Sequence, residues 1–195
     1  EVVARSRGSP HDVLRVTFLD VGQGDSALID FPDGSSMLVD GGGLVGSPVD
    51  VGERAVLPLL AARRRSAIDV VVLSHPHPDH YLGLDPVLAR VPVKELWDTG
   101  QGEAEAPPSS SPSPSPSPSP SAPSSSSSTS AVAVLDRARA RGVAVRRPSD
   151  VCGTHMFGAA RVDVLAPCPR FVDDRNPNDN STDMSSFPFV RHHFL

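Results

Sequence analysis

The sequence predicts an α/β protein that forms one half of an α/β sandwich, with helices on its outer face. Three observations predict this class. Short alternating segments joined by glycine-containing turns come first, a β-branched run follows, and helices then alternate with strands. A tract of serine and proline at 104–130 interrupts the last part, and we expect it to be a disordered insert.

The first three segments predict an antiparallel meander. Leu14–Asp20 alternates with a period near two, and Ser26–Phe31 and Ser36–Asp40 have the same strand character. The turns between them are Gly22–Asp25 and Pro32–Gly34. Turns this short favour antiparallel neighbours.

The next segments predict helices and further strands. Glu53–Arg65 has helical character despite Pro58, and Ile68–Leu73 is a near-continuous β-branched run typical of a strand buried on both faces. Asp85-Pro86 is a good start for a short helix through Arg90. The remaining predictions are a strand at Val93–Trp97, a helix at Ala131–Arg141 capped by Ser130 and followed by Gly142, and strands at Val143–Val145 and Arg161–Leu165.

These elements predict five regions. Residues 1–12 form a flexible leader, 13–103 the first part of the domain, 104–130 the insert, 131–181 the continuation of the domain, and 182–195 an atypical tail. The insert is almost only Ser, Pro and Ala, so it cannot bury enough apolar surface to offset its ordering entropy. The tail has neither a strand period nor a helical one, and we expect the natural domain to continue further.

Composition limits the class of protein. A net charge of −5 and a pI near 5.7 argue against a dedicated nucleic-acid-binding domain. No apolar run approaches the roughly 20 residues of a membrane span, so we expect a soluble chain. Cys152 and Cys168 lack any C-x-x-C spacing; we expect two thiols, although a disulfide between neighbouring strands stays open.

The strongest chemical signal follows the buried strand: His75, His77, Asp79 and His80 lie within six residues. Side chains two residues apart in an extended chain point the same way, so His75 and His77 can meet one ion. Pro76 and Pro78 favour that conformation, because each pushes the residue before it into the extended region. Asp79 and His80 follow where the chain turns and can reach a second ion.

This segment resembles the H-x-H-x-D-H signature of the metallo-β-lactamase superfamily. The whole chain is similar to the hydrolase domain of ComEC-type DNA-uptake proteins over residues 14–181. The residues that carry this similarity are Phe18–Ser26, Leu38–Gly42, Leu73–His80, Glu95–Gly100, Val164–Pro167 and Asn178–Ser181. The D-V-G-Q-G-D-S piece narrows the superfamily to this group. The resemblance implies a metallo-β-lactamase-like αβ/βα sandwich, of which the chain is the N-terminal portion.

The resemblance also implies roles for single residues. His75 and His77 would hold the first of two divalent ions, and Asp79 and His80 the second, with Asp79 as the catalytic residue that orients water. Histidine-rich ligation suits zinc, while carboxylates leave manganese open. Asp40 would support the metal loop from behind, or only cap a turn. Asp25 would line the site, or belong to a tight hairpin. Asn180 and Ser181 would lie near the site, or form a plain turn.

The implied function is metal-dependent hydrolysis of a phosphodiester, with single-stranded DNA as the expected substrate and partner. Two alternatives stay open: a hydrolase of a small ester, thioester or lactam, and a truncated, non-catalytic metal-binding remnant. The remnant is considered because relatives continue with a strand ending in Gly-Asp and a histidine-bearing loop, which do not follow Ser181 here. A ComEC-like chain would work outside the cytoplasm or in the periplasm, and another hydrolase inside it; oligomeric state stays open.

Overall fold

The computed structural model describes residues 13–101 and 130–169. Within these ranges the main element is a six-stranded mixed sheet with the order β1-β2-β3-β4-β5-β6. The predicted leader, the insert apart from Ser130, residues 170–181 of the predicted continuation and the tail lie outside the described residues. The predicted α/β class is confirmed.

The sheet begins with the predicted meander. Strands β1 (Arg15–Phe18), β2 (Ala27–Asp30) and β3 (Ser36–Val39) pair antiparallel. The later strands β4 (Ile68–Leu73), β5 (Val93–Asp98) and β6 (Ala144–Arg146) add in parallel to β3. The carboxyl ends of β3, β4, β5 and β6 therefore meet at one edge of the sheet, where α/β folds place their sites.

Helices connect the parallel strands. A π-helical turn at Gly52–Val56 runs into α1 (Leu57–Ala62), so the helix predicted from Glu53 is present in an irregular form. Pro58 accounts for the irregularity, because it has no N–H to close an α-helical bond in this turn. The other helices are α2 (Pro78–Tyr81), α3 (Leu84–Arg90), α4 (Ala131–Ala140) and α5 (Pro148–Val151).

The two faces of the sheet are covered differently. One face packs on helices α1, α3 and α4, through a cluster that includes Leu38, Val71, Leu96, Leu60, Leu88 and Leu135. The opposite face packs on a two-stranded antiparallel sheet, β7 (Gly153–Phe157) with β8 (Ala160–Val164), and this cluster includes Met37, Val72, Trp97 and Val162. Burial on both faces explains why β4 is apolar at every position except Asp69, whose carboxylate accepts the main-chain N–H of Ser36. The sequence indicated β8 but not β7.

The expectation of two separate thiols is wrong, because Cys152 and Cys168 form a disulfide with Cα atoms 5.7 Å apart. The hairpin explains the pairing. Gly153 lies opposite Val164 in the β7–β8 register, so the residues just before β7 and just after β8 are brought together. Because the two cysteines are 16 residues apart in the sequence, the sequence alone did not indicate that they lie close together.

No helix within residues 13–101 and 130–169 is long and apolar enough to cross a membrane.

Candidate metal centre

The four predicted ligands lie where β4 ends and α2 begins. His77 is the residue before the helix and has extended dihedral angles, φ −95° and ψ 148°, as Pro78 predicts. Its carbonyl accepts the main-chain N–H of His80 at 2.9 Å. The tight helical turn that follows brings Asp79 and His80 back toward His75.

Three of these side chains form a group that can hold an ion. One ligand atom each from His75, Asp79 and His80 lie within 4.8 Å of one another. The ring of His77 stands edge-on to that of His75, with 4.6 Å between the ring centres, beside this group but not within it. The predicted division of the four ligands between two ions stays a prediction.

Asp40 lies beneath the group, directly after β3, and is almost completely buried. Its Oδ1 accepts the main-chain N–H of Ser74 at 2.9 Å, and its Oδ2 accepts the Ser74 hydroxyl at 2.6 Å and His80 Nδ1 at 2.8 Å. The backbone of Asp40 is left-handed, with φ 57°, a conformation that aspartate tolerates better than most residues. Asp40 thus ties the end of β3 to the ligand segment.

The bond to Asp40 determines how His80 faces the group. Because a carboxylate only accepts hydrogen bonds, Nδ1 of His80 carries the proton and the lone pair is on Nε2. That nitrogen is 3.9 Å from Oδ1 of Asp79. A carboxylate behind a histidine whose other nitrogen faces the ion is the usual arrangement at metal sites.

The half-buried His75 and the buried His80 respond oppositely to their surroundings. Burial lowers the pKa of His75 to about 4, assisted by the charges of His80 and His77 and opposed by Asp79. For His80, burial also disfavours the charged form, but the hydrogen bond and charge of Asp40, with the charges of Asp79 and Asp25, raise its pKa. His75 is therefore a neutral ligand near pH 7, whereas an ion at His80 competes with a proton.

Two glycines let neighbouring loops approach the ligand segment. A Cβ at Gly24 would lie 1.7 Å from the Asp79 carbonyl oxygen, so a side chain there would displace the turn or the ligand. Gly41 donates its N–H to the His80 carbonyl at 2.8 Å, and a Cβ there would lie 2.5 Å from the Leu84 nitrogen. The loops after β1 and β3 therefore pack directly on the ligand segment.

The remaining predicted site residues divide into two groups. Asp25 is exposed, and its charge contributes to the raised pKa of His80, so it lies close enough to act on the group. Asn180 and Ser181 lie outside the described residues. Their predicted place near the site stays a prediction.

The donor set fits a divalent ion. Two imidazoles and one carboxylate, with one imidazole held from behind by a buried carboxylate, match the ligands that zinc accepts in open catalytic sites. His75, Asp79 and His80 would hold the ion, and His77 stands beside them. Each of these ligand types also suits other first-row metals.

Sequence reasoning missed Ser74. Its hydroxyl is buried and lies at hydrogen-bonding distance from Asp40 Oδ2 and from His75 Nδ1. The available signal was its position, since a hydroxyl directly before the first ligand, at the end of a buried strand, cannot point to solvent.

Comparison with known families gives one match. A family model described as the metallo-beta-lactamase superfamily matches residues 19–162. No curated protein matches the chain at a significant level. The matched range begins at the end of β1 and ends within β8, so it includes all four predicted ligands.

Proposed function

This chain belongs to the metallo-beta-lactamase superfamily, and we propose that it is a metal-dependent hydrolase that cleaves phosphodiester bonds, with single-stranded DNA as the substrate. The superfamily consists largely of hydrolytic metalloenzymes. Membership supports the reaction class, and both the activity of this chain and its substrate are part of the proposal.

The observation that carries the proposal is the group of His75, Asp79 and His80 above the buried carboxylate of Asp40. Two imidazoles and a carboxylate, with ligand atoms within 4.8 Å of one another, are brought together at the carboxyl edge of the sheet. Asp79 retains 24% of its side-chain exposure, so water and substrate can reach it. The group is thus both assembled and accessible.

Support for a phosphodiester comes from the turn after β1. The D-V-G-Q-G-D-S segment is the part of the sequence that narrows the resemblance to DNA-uptake hydrolases, and Gly24 in this segment packs against the Asp79 carbonyl. Asp25 of the same turn acts electrostatically on His80. The segment that narrows the resemblance therefore lies directly at the proposed centre.

The residues have separate tasks in the proposed reaction. A bound divalent ion would polarise the scissile group and make water a better nucleophile near neutral pH. The Asp79 carboxylate would orient the attacking water and accept a hydrogen bond from it. Asp40 keeps the His80 ring in place without contacting the substrate. The acidic Asp25 faces solvent, so a polyanionic substrate would depend on bound cations for attraction.

The test is cleavage of a fluorescently labelled single-stranded DNA by the full chain with Zn²⁺ or Mn²⁺, compared with Asp79→Asn and His75→Ala. We expect cleavage by the wild type and loss of about two orders of magnitude or more in each variant. An Asp136→Asn variant is the matched control, because Asp136 is an exposed residue on the outer side of α4.

Two results would contradict the proposal. Turnover of a thioester or lactam with no DNA cleavage would assign the site to small substrates. Absence of all turnover by a chain that binds metal would make it a non-catalytic metal-binding remnant.

A further inference from the structure

The buried hydroxyl of Ser74 is in direct contact with both Asp40 and a ligand histidine. Its Oγ lies 2.6 Å from Asp40 Oδ2, 3.1 Å from His75 Nδ1 and 3.4 Å from His80 Nδ1. A hydroxyl has one proton to donate and two lone pairs to accept with. The assignment of that single proton therefore determines the other hydrogen bonds.

The shortest contact identifies the acceptor of the Ser74 proton. At 2.6 Å to a carboxylate oxygen, Ser74 O–H donates to Asp40, since hydrogen bonds to charged acceptors are the shorter and stronger ones. The His80 Nδ1–H is also directed at Asp40, at 2.8 Å. Ser74 Oγ then has only lone pairs left for His75, so the proton in that contact must come from His75 Nδ1.

From this hydrogen-bond order we infer that Ser74 is a positioning residue that holds His75 as its Nδ1–H tautomer, with the lone pair on Nε2. Asp40 thereby controls both ligand rings, His80 directly and His75 through the Ser74 hydroxyl. In this network, His75 donates to Ser74 and Ser74 donates to Asp40. His80 donates to the same Asp40 carboxylate. Without Ser74, His75 would populate both neutral tautomers, and one of them offers an N–H where an ion requires a lone pair.

The first experiment uses metal-free protein and does not depend on the proposed function. Two-bond ¹H–¹⁵N correlation spectra distinguish the two neutral tautomers of a histidine ring. We expect the Nδ1–H form for His75 in the wild type and in Ser74→Thr, which keeps the hydroxyl, and a mixture of forms in Ser74→Ala. Ser26→Ala is the matched control, because it removes a buried hydroxyl that donates at 3.0 Å to the Asp40 carbonyl and not to its carboxylate.

The second experiment measures Zn²⁺ affinity by competition with a chromophoric chelator, and this part rests on the proposed function. We expect Ser74→Ala to bind about 10- to 100-fold more weakly than wild type, the usual effect of removing a group that orients a ligand. Ser74→Thr should restore most of that affinity.

The two measurements separate the two claims. A wild-type spectrum with His75 as Nε2–H, or an unchanged Nδ1–H form in Ser74→Ala, overturns the positioning role, and the wild-type spectrum decides the matter even if Ser74→Ala does not fold. A tautomer change in Ser74→Ala with no Zn²⁺ binding by the wild type supports the positioning role and contradicts the proposed function.

Discussion

Asp30 and Asp40 are two buried aspartates on adjacent strands, at opposite ends of the same antiparallel pair. Asp30 ends β2 opposite Ser36, whereas Asp40 directly follows Val39, whose partner is Ala27. Both are almost completely buried. Their partners differ: Asp30 binds the guanidinium groups of Arg15 and Arg65, and Asp40 binds a hydroxyl and an imidazole.

The difference in partners separates a structural carboxylate from a functional one. A guanidinium has donors only and stays charged, so the Asp30 cluster can do nothing but hold β1, β2 and the chain after α1 together. An imidazole that donates one N–H to Asp40 keeps a lone pair on its other nitrogen. Burial alone does not distinguish the two sites, whereas the chemistry of the partner does.

The largest expected effect is at the structural carboxylate. Asp30→Asn leaves Arg65, whose side chain is 9% exposed, without a counter-charge, and removal of one partner from a buried pair costs about 3–5 kcal/mol. We expect this loss in the free energy of unfolding, measured by urea denaturation, with Zn²⁺ affinity of the folded fraction unchanged. A large fall in Zn²⁺ affinity without a loss of unfolding free energy would mean that Asp30 belongs to the metal site. The distinction between Asp30 and Asp40 would then be wrong.

The corresponding substitution at the functional carboxylate, Asp40→Asn, should weaken metal binding. Asn tolerates the left-handed backbone of position 40, so Asp40→Asn tests the charge and not the fold. We expect Zn²⁺ affinity to fall by about 10- to 100-fold, because His80 loses the negatively charged acceptor that holds its ring. Chelator competition measures the fall. Wild-type affinity in this variant would show that Asp40 only caps the turn before Gly41.

The smallest expected effect is at the partly exposed partner of Asp30. The side chain of Arg15 is 32% exposed, and Asp30 keeps two hydrogen bonds from Arg65 when Arg15 is removed. We therefore expect Arg15→Ala to lower the free energy of unfolding by only about 1 kcal/mol in the same urea experiment. A loss as large as that of Asp30→Asn would mean that the cluster acts as one unit.

Local patterns predicted most of the sheet. The alternation of β1 to β3 and the apolar run of β4 follow from side-chain burial on one face or on both, which single segments record. The disulfide and β7 were missed, because a hairpin that brings Cys152 to Cys168 depends on packing against Trp97 and its neighbours. Tertiary contacts of this kind leave no periodic trace in the sequence.

The group of His75, Asp79 and His80 was predictable because its members lie within six residues of the sequence. The residues that support the ligand segment, Asp40 and Ser74, were only partly predictable. The two interpretations of Asp40 could not be separated, since turn caps and metal supports both precede glycines. Ser74 was missed, since its role depends on β3 and β4 lying side by side in parallel. The roles of Asp40 and Ser74 both depend on contacts between β3 and β4.

The most direct test of the central claim is the zinc content of purified protein after gel filtration, for wild type, His80→Ala and His155→Ala. His155 is the one other histidine within residues 13–101 and 130–169, and it bonds the Val151 carbonyl away from the ligand group. The account predicts bound zinc in wild type and in His155→Ala, and loss in His80→Ala. Equal zinc in all three proteins, or none in the wild type, would contradict a metal centre at His75, Asp79 and His80.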